Sequence, residues 1–159
     1  MKEFTFYNRH SDVTLSIQQD LIDDINEQTV NHFPDEFGGF LFGNYLKNSN
    51  HLQIFKHSVP DIFKSTAMGF ERYTDGMTEF KKTYEFGTEP HYVGEWHSHP
   101  GGFSMYSQAD LSAMQRIEAF ETVTIRNPVL LIVSTNIHKE INYKFYLYHN
   151  GGLTAYEQN

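Results

Sequence analysis

A chain of 159 residues with 39% hydrophobic content can bury about 70% of the surface its unfolded form exposes, so residues 1–159 are expected to form a single globular domain. Twenty acidic against twelve basic residues give a net charge of −8, which repels phosphate backbones and anionic lipid, so neither nucleic acid nor a membrane surface is an expected partner. The absence of cysteine excludes a disulfide framework and any thiolate metal site, and leaves imidazole and carboxylate as the available metal ligands. The first ten residues carry Lys2, Glu3 and Arg9 among aromatics, unlike a secretion signal or a membrane span, and the expected location is the cytoplasm.

In chain order, Thr5 to Leu15 mixes β-branched, aromatic and polar residues and predicts an opening strand or strand pair. From Ser16 the apolar positions Ile17, Leu21, Ile22, Ile25 and Val30 form one helical stripe, with Ser16 and Gln19 spaced as a capping box. Pro34 stops that helix, and the segment from Pro34 through Glu36 to Tyr45 reads as a loop entering a strongly apolar strand containing Phe37, Phe40 and Phe42. His51 to Val59 pairs with it as a hairpin across Lys47–Asn50; a strand is expected near Thr66–Arg72, and a second helix over Thr78–Phe86.

Tyr92 to His99 alternates and then breaks at Pro100-Gly101-Gly102, a strand running into an irregular loop. A third helix opens at Ser107-Gln108-Ala109-Asp110 and continues through Leu111, Met114, Ile117 and Phe120. Val129–Val133 reads as a buried strand, and Ile141–Tyr148 as a last alternating one. This order predicts an α/β domain in which helices flank one mixed sheet.

The chemistry concentrates between His97 and Asp110. Residues two apart on a strand point the same way, so His97 and His99 share a face, and Asp110 in the first turn of the next helix can swing back across the loop. Two imidazoles and a carboxylate are the three protein ligands that a catalytic zinc takes while keeping one position open. A hydrolytic site of this kind also needs a carboxylate to take a proton from water and a donor for the oxyanion. Glu95 and Glu71 are rival bases from position alone. Trp96, opposite in parity to the ligands, reads as core. Ser107-x-x-Asp110 also has a purely structural reading as a helix cap, and the two roles are compatible. The other seven histidines have no ligand-like spacing and read as surface or structural residues. Phe103, Met105 and Tyr106 sit in the loop beside the proposed ligands, where they could line a groove for an extended substrate tail.

His97-x-His99, seven residues, Ser107, two residues, Asp110, with Pro100-Gly101 after the second histidine, resembles the signature of the JAMM (MPN-plus, JAB-domain) zinc metalloproteases. Pro34-x-Glu36-x-x-Gly39-x-Leu41-x-Gly43 resembles the upstream segment that supplies their catalytic glutamate. The resemblance implies a three-layer, mixed but mostly antiparallel fold of the JAB/MPN, cytidine-deaminase-like type. It also implies a hydrolase that cuts peptide or isopeptide bonds at the C-terminus of ubiquitin or ubiquitin-like proteins. Carried over by position, His97, His99 and Asp110 would bind one Zn2+, Glu36 would act as general base and then acid, and Ser107 would stabilise the oxyanion. The short chain and Gly94-Glu95-Trp96-His97 look most like the stand-alone bacterial proteases of antiphage conjugation operons, including those associated with CD-NTases, which implies E1-like and E2-like partners encoded nearby. Two rivals remain: a JAB-type peptidase processing a sulfur-carrier or phage tail protein, and a non-catalytic MPN-type binding scaffold.

Overall fold

The computed structural model describes residues 2–47, 49–59, 62–66, 69–73, 91–119 and 127–158. The chain opens with the antiparallel pair β1 (Glu3–Asn8) and β2 (Val13–Gln18), followed by α1 (Gln19–His32). Ser16 therefore lies inside a strand and does not cap the helix. It is buried in β2 opposite Thr5, and its Oγ meets His51 Nε2 at 2.8 Å. The apparent capping box arose because the inward parity of β2 at Ile17 happens to continue into the stripe of α1. The first helical amide is satisfied from elsewhere: Gln19 N donates to the Lys2 carbonyl at 2.9 Å, and no side chain caps the helix. The far end behaves as expected, since Phe33 leaves helical geometry for ψ 134°, the extended conformation imposed on a residue that precedes proline.

β3 (Gly38–Tyr45) and β4 (His51–Ser58) form the expected hairpin, with a bulge at Phe42/Gly43. The single strand expected near Thr66–Arg72 is instead a separate hairpin, β5 (Ile62–Thr66) with β6 (Gly69–Tyr73), in which Thr66 pairs with Gly69. The mixed polar and apolar composition there conceals the reversal. The helix expected over 78–86 falls outside the described residues. β7 (His91–Pro100), α2 (Gln108–Ala119), β8 (Val129–Thr135) and β9 (Ile141–His149) agree with the sequence reading, and β10 (Gly152–Ala155) and β11 (Glu157–Gln158) add two short edge strands.

The main sheet runs β10-β9-β8-β7-β3-β4-β2-β1-β11. Only β7–β8 and β2–β4 are parallel pairs, so the sheet is mixed and mostly antiparallel. α1 covers one face: Ile22 and Ile25 pack with Leu15, Ile17, Trp96, Leu131 and Phe145. α2 covers the other, where Met114 packs with Leu130, Ile132, Tyr146 and Tyr148. Because β8 contributes to both clusters, Val129 to Thr135 is buried at every position, as expected of a strand covered on both sides. Gly94 allows the central strands to approach, since a Cβ there would lie 2.0 Å from the Val129 carbonyl oxygen. Among the described residues, no helix is long and apolar enough to cross a membrane.

Candidate metal centre and active site

β7 divides its side chains between the two faces. Trp96 and Ser98 turn into the α1 face and are fully buried, with Trp96 in the core as expected. Glu95, His97 and His99 turn toward α2. Beyond Pro100 the chain reverses at Gly101 (φ 73°), whose amide donates to the Thr135 carbonyl at 2.7 Å. The loop ends at Ser107, where a reciprocal cap starts α2: Asp110 N donates to Ser107 Oγ at 3.1 Å and Ser107 N donates to Asp110 Oδ2 at 2.7 Å. The structural reading of this pair is thus realised, and it aims the Asp110 carboxylate back at β7.

There His97 Nε2 lies 2.9 Å from Asp110 Oδ1, His99 Nε2 lies 3.2 Å from Asp110 Oδ2, and the two Nε2 atoms are 3.2 Å apart. His99 Nδ1 is 2.9 Å from the Phe103 carbonyl, which fixes that nitrogen as the N–H donor and leaves Nε2 facing the cluster. All three ligand atoms lie within 4.8 Å of one another, and each residue is partly buried. A tetrahedral ion with zinc's bond lengths spaces its ligands about 3.3 Å apart, close to what these three atoms already show. The donor set fits zinc chemically as well, being neutral imidazole and carboxylate with no thiolate.

The segment that carries Glu36 approaches from the other direction. β3 pairs with β7, Gly38 opposite His97 and Gly39 opposite Trp96, which brings the loop just before β3 alongside the ligands. Neither glycine tolerates a side chain, since a Cβ on Gly38 would lie 2.3 Å from the Trp96 carbonyl and one on Gly39 1.7 Å from the Ser58 carbonyl. Burial raises Glu36 above the ordinary carboxylate range, the charges of His97 and His99 pull it partly back, and Asp110 adds to the rise. For Asp110, burial alone would raise the carboxyl, but hydrogen bonds from His97 and His99, the charge of His97 and the Ser107 amide outweigh it and hold the group far below its usual range. For His99, burial works to lower the imidazole, and the bonds to Asp110 and the Phe103 carbonyl, with the charges of Asp110 and Glu36, raise it overall. Asp110 is thus held as an anion between two imidazoles, an arrangement suited to a cation.

The structure brings His97, His99 and Asp110 together, sets Glu36 in the segment that leads into the strand paired with β7, and leaves Ser107 exposed at the start of α2. Of the rival bases, Glu95 is 4% exposed, which excludes a surface role; the side chain of Glu71 lies outside what is described. Phe37, Phe40 and Phe42 are core residues, whereas Phe103 and Met105 are 82% and 70% exposed beside the site. His32, His51 and His57 are structural, bonded to the Gln28 carbonyl, Ser16 and Asp24 respectively. Sequence reading did not single out Tyr146, giving only an alternating strand over Ile141–Tyr148. Tyr146 is buried under α2, and its hydroxyl donates to the Ser104 carbonyl at 2.8 Å, tying the loop down. It also missed Ser98. The available signal was its position between two ligands: the opposite parity sends a hydroxyl into the core, where it must find a partner.

A three-layer α/β domain in which a glutamate faces a cluster of two histidines and an aspartate defines a candidate metal-dependent hydrolase. Residues 18–146 match the family model for prokaryotic homologs of the JAB domain, and the chain belongs to that family. It is 28% identical over 134 residues to a "CD-NTase/cGAS isopeptidase" of Enterobacter hormaechei subsp. hoffmannii (strain UCI 50), a match covering 84% of this chain and 74% of that protein. The fold is also similar to the solution structure of protein DSY2949 from Desulfitobacterium hafniense, with a TM-score of 0.54 and 14% identity over 89% of this chain and 88% of that one.

Proposed function

We propose that residues 1–159 form one zinc-dependent peptidase domain. Its substrate bond is the amide or isopeptide that follows the C-terminus of a ubiquitin-like protein, so it releases a conjugated target or matures a precursor. Family membership and the relative named as an isopeptidase support a deconjugating peptidase. The single observation that carries the site is the meeting of the His97 and His99 imidazoles with the Asp110 carboxylate, beside the segment that carries Glu36. The setting we propose, from the resemblance of the two motifs to those of stand-alone bacterial proteases, is an antiphage conjugation system in the cytoplasm with E1-like and E2-like enzymes as partners.

His97, His99 and Asp110 would hold the metal through their imidazole nitrogens and a carboxylate oxygen. Zinc bound there would supply a Lewis acid that acidifies a water and polarises the scissile carbonyl. The Glu36 carboxylate takes a proton from the attacking water and returns it to the leaving amine. Its raised pKa suits both halves of that exchange, because a carboxyl of ordinary acidity is a poorer proton donor near neutral pH. The Ser107 oxygen accepts from the Asp110 amide, which leaves its own hydroxyl proton to donate to the developing oxyanion.

The test is cleavage of ubiquitin-like fusions and conjugates, with metal content measured on the same samples. Glu36→Gln should keep one zinc per chain and lose roughly 10²–10⁴-fold in turnover, the usual contribution of a general base. His97→Ala should lose both zinc and cleavage. Full turnover by the Glu36 variant would overturn the mechanism, and folded wild-type protein that takes up no zinc would point to the binding scaffold instead.

A further inference from the structure

Ser98 lies between the two histidine ligands of β7 but points away from them, into the α1 face, where it is fully buried. Its partner is the segment that carries Glu36. The Ser98 Oγ accepts from the Phe37 amide at 2.9 Å, and the Ser98 amide donates to the Phe37 carbonyl at 2.7 Å. Phe37 is one residue beyond the last β3–β7 pair, Gly38 with His97. In an unbroken antiparallel ladder both bonds of such a pair are made by main chain; here the second is made by the serine side chain. The pairing is thereby closed at the point where β3 leaves the sheet.

The Phe37 amide belongs to the same planar peptide unit as the Glu36 carbonyl, so a hydrogen bond to it fixes the plane from which Glu36 departs. Ring contacts hold the other side of this residue: Phe37 stacks on His32 at 3.6 Å and 4°, and meets Trp96 edge-on at 5.9 Å. Those contacts locate the Phe37 side chain but do not orient the peptide before it.

We infer that Ser98 is a positioning residue whose two-bond clamp on Phe37 sets the direction in which Glu36 meets the His97–His99–Asp110 cluster. This rests on the reading of Glu36 as the general base. The strand thus uses three consecutive residues for one site: two ligands on one face, and on the other the support for the base.

The experiment compares wild type, Ser98→Ala and Ser98→Thr, all zinc-loaded, by amide hydrogen exchange and by steady-state cleavage of ubiquitin carrying a C-terminal aminocoumarin amide. Ser98→Ala removes one oxygen and introduces no bulk. It should keep one zinc per chain and unchanged protection in β8, while the Phe37 amide exchanges roughly tenfold faster, the factor expected when one hydrogen bond of about 1.4 kcal/mol is lost. Its kcat should fall roughly 10- to 100-fold with KM unchanged, as for other misplaced catalytic groups and supporting partners. Ser98→Thr, which keeps the oxygen, should recover both. The inference is overturned if the Phe37 amide stays as protected in Ser98→Ala as in wild type, or if kcat is unchanged in a background that Glu36→Gln inactivates. It is equally overturned if the loss appears only in zinc content or KM. If wild type leaves the aminocoumarin amide uncut, the proposed function fails for that substrate. In that case the Phe37 amide and the Glu36 carboxyl 13C resonance, expected to move in Ser98→Ala and return in Ser98→Thr, still decide the role of Ser98.

Discussion

The two faces of the sheet are built for different ends. Under α1 the core is wide and almost wholly apolar, drawing on β1, β2, β4, β7, β8 and β9 as well as the helix. Under α2 the buried cluster is Met114 with five residues of β8, β9 and β10, and the space beside it holds Glu95, His97, His99 and Asp110. One face supplies most of the hydrophobic stabilisation. The other gives up apolar area to a partly buried polar cluster. β7 belongs to both, and its alternation from Glu95 to His99 lets Trp96 anchor the strand in the first face while the residues on either side of it project into the second.

That division predicts unequal consequences for truncation. Trp96→Ala removes the largest fully buried side chain of the wide core, along with its edge contacts to Phe37 and His57, and should destabilise the protein by about 3–5 kcal/mol. Chemical denaturation measures that loss, and metal titration should also show affinity falling, since both histidines lie within three residues of the side chain that holds their strand. If stability held near wild type, the wide face would not be the main source of stability.

Met114→Ala tests the narrower face. Met114 is 1% exposed and is the fully buried contact of α2 among the described residues, with Leu111 and Ile117 only partly buried beside it. The loss should lie nearer the lower end of the 2–5 kcal/mol range for such truncations, because an edge cluster collapses into a cavity more readily than a central core. Its distinctive signature is functional. Asp110 lies one turn earlier on the same helix, so zinc affinity should drop more per kcal/mol of stability lost than in Trp96→Ala. Equal ratios for the two variants would erase the proposed difference between faces.

What the sequence disclosed follows the same division. The ligand pair, the capped aspartate and the apolar strands were legible because each is written within a few residues: His97-x-His99 by strand parity, Ser107-x-x-Asp110 by the helix cap, Val129–Val133 by continuous apolarity. The position of Glu36 beside them was legible only through family resemblance. It depends on β3 pairing with β7 across some sixty residues, which no local pattern encodes. Ser16 shows the opposite failure. Its local pattern fits a helix cap, yet its parallel pairing partner on β4 and the His51 ring make it a buried strand residue. The burial of Tyr146 was not legible, because an alternating pattern does not show that β9 is covered on both faces at that point.

Tyr146 also offers the smallest and most local test of the comparison. Its ring is packed in the α2-face cluster and meets Tyr106 edge-on at 5.2 Å, while its hydroxyl holds the Ser104 carbonyl. Tyr146→Phe keeps the ring in place and removes only that bond, so the global cost should be about 1 kcal/mol, the net value of a single hydrogen bond. Where the cost is felt matters more than its size. The loop from Gly101 to Ser107 has further ties at Gly101 N, Gly102 N and the Phe103 carbonyl, all close to β7, whereas Ser104 lies nearer Ser107 and the start of α2. Hydrogen exchange in Tyr146→Phe should therefore accelerate over 104–108 and leave Phe37 and the α1-face strands unchanged. Turnover should fall modestly through Ser107, with zinc content intact. Acceleration that spread equally to both faces would mean the sheet does not separate them.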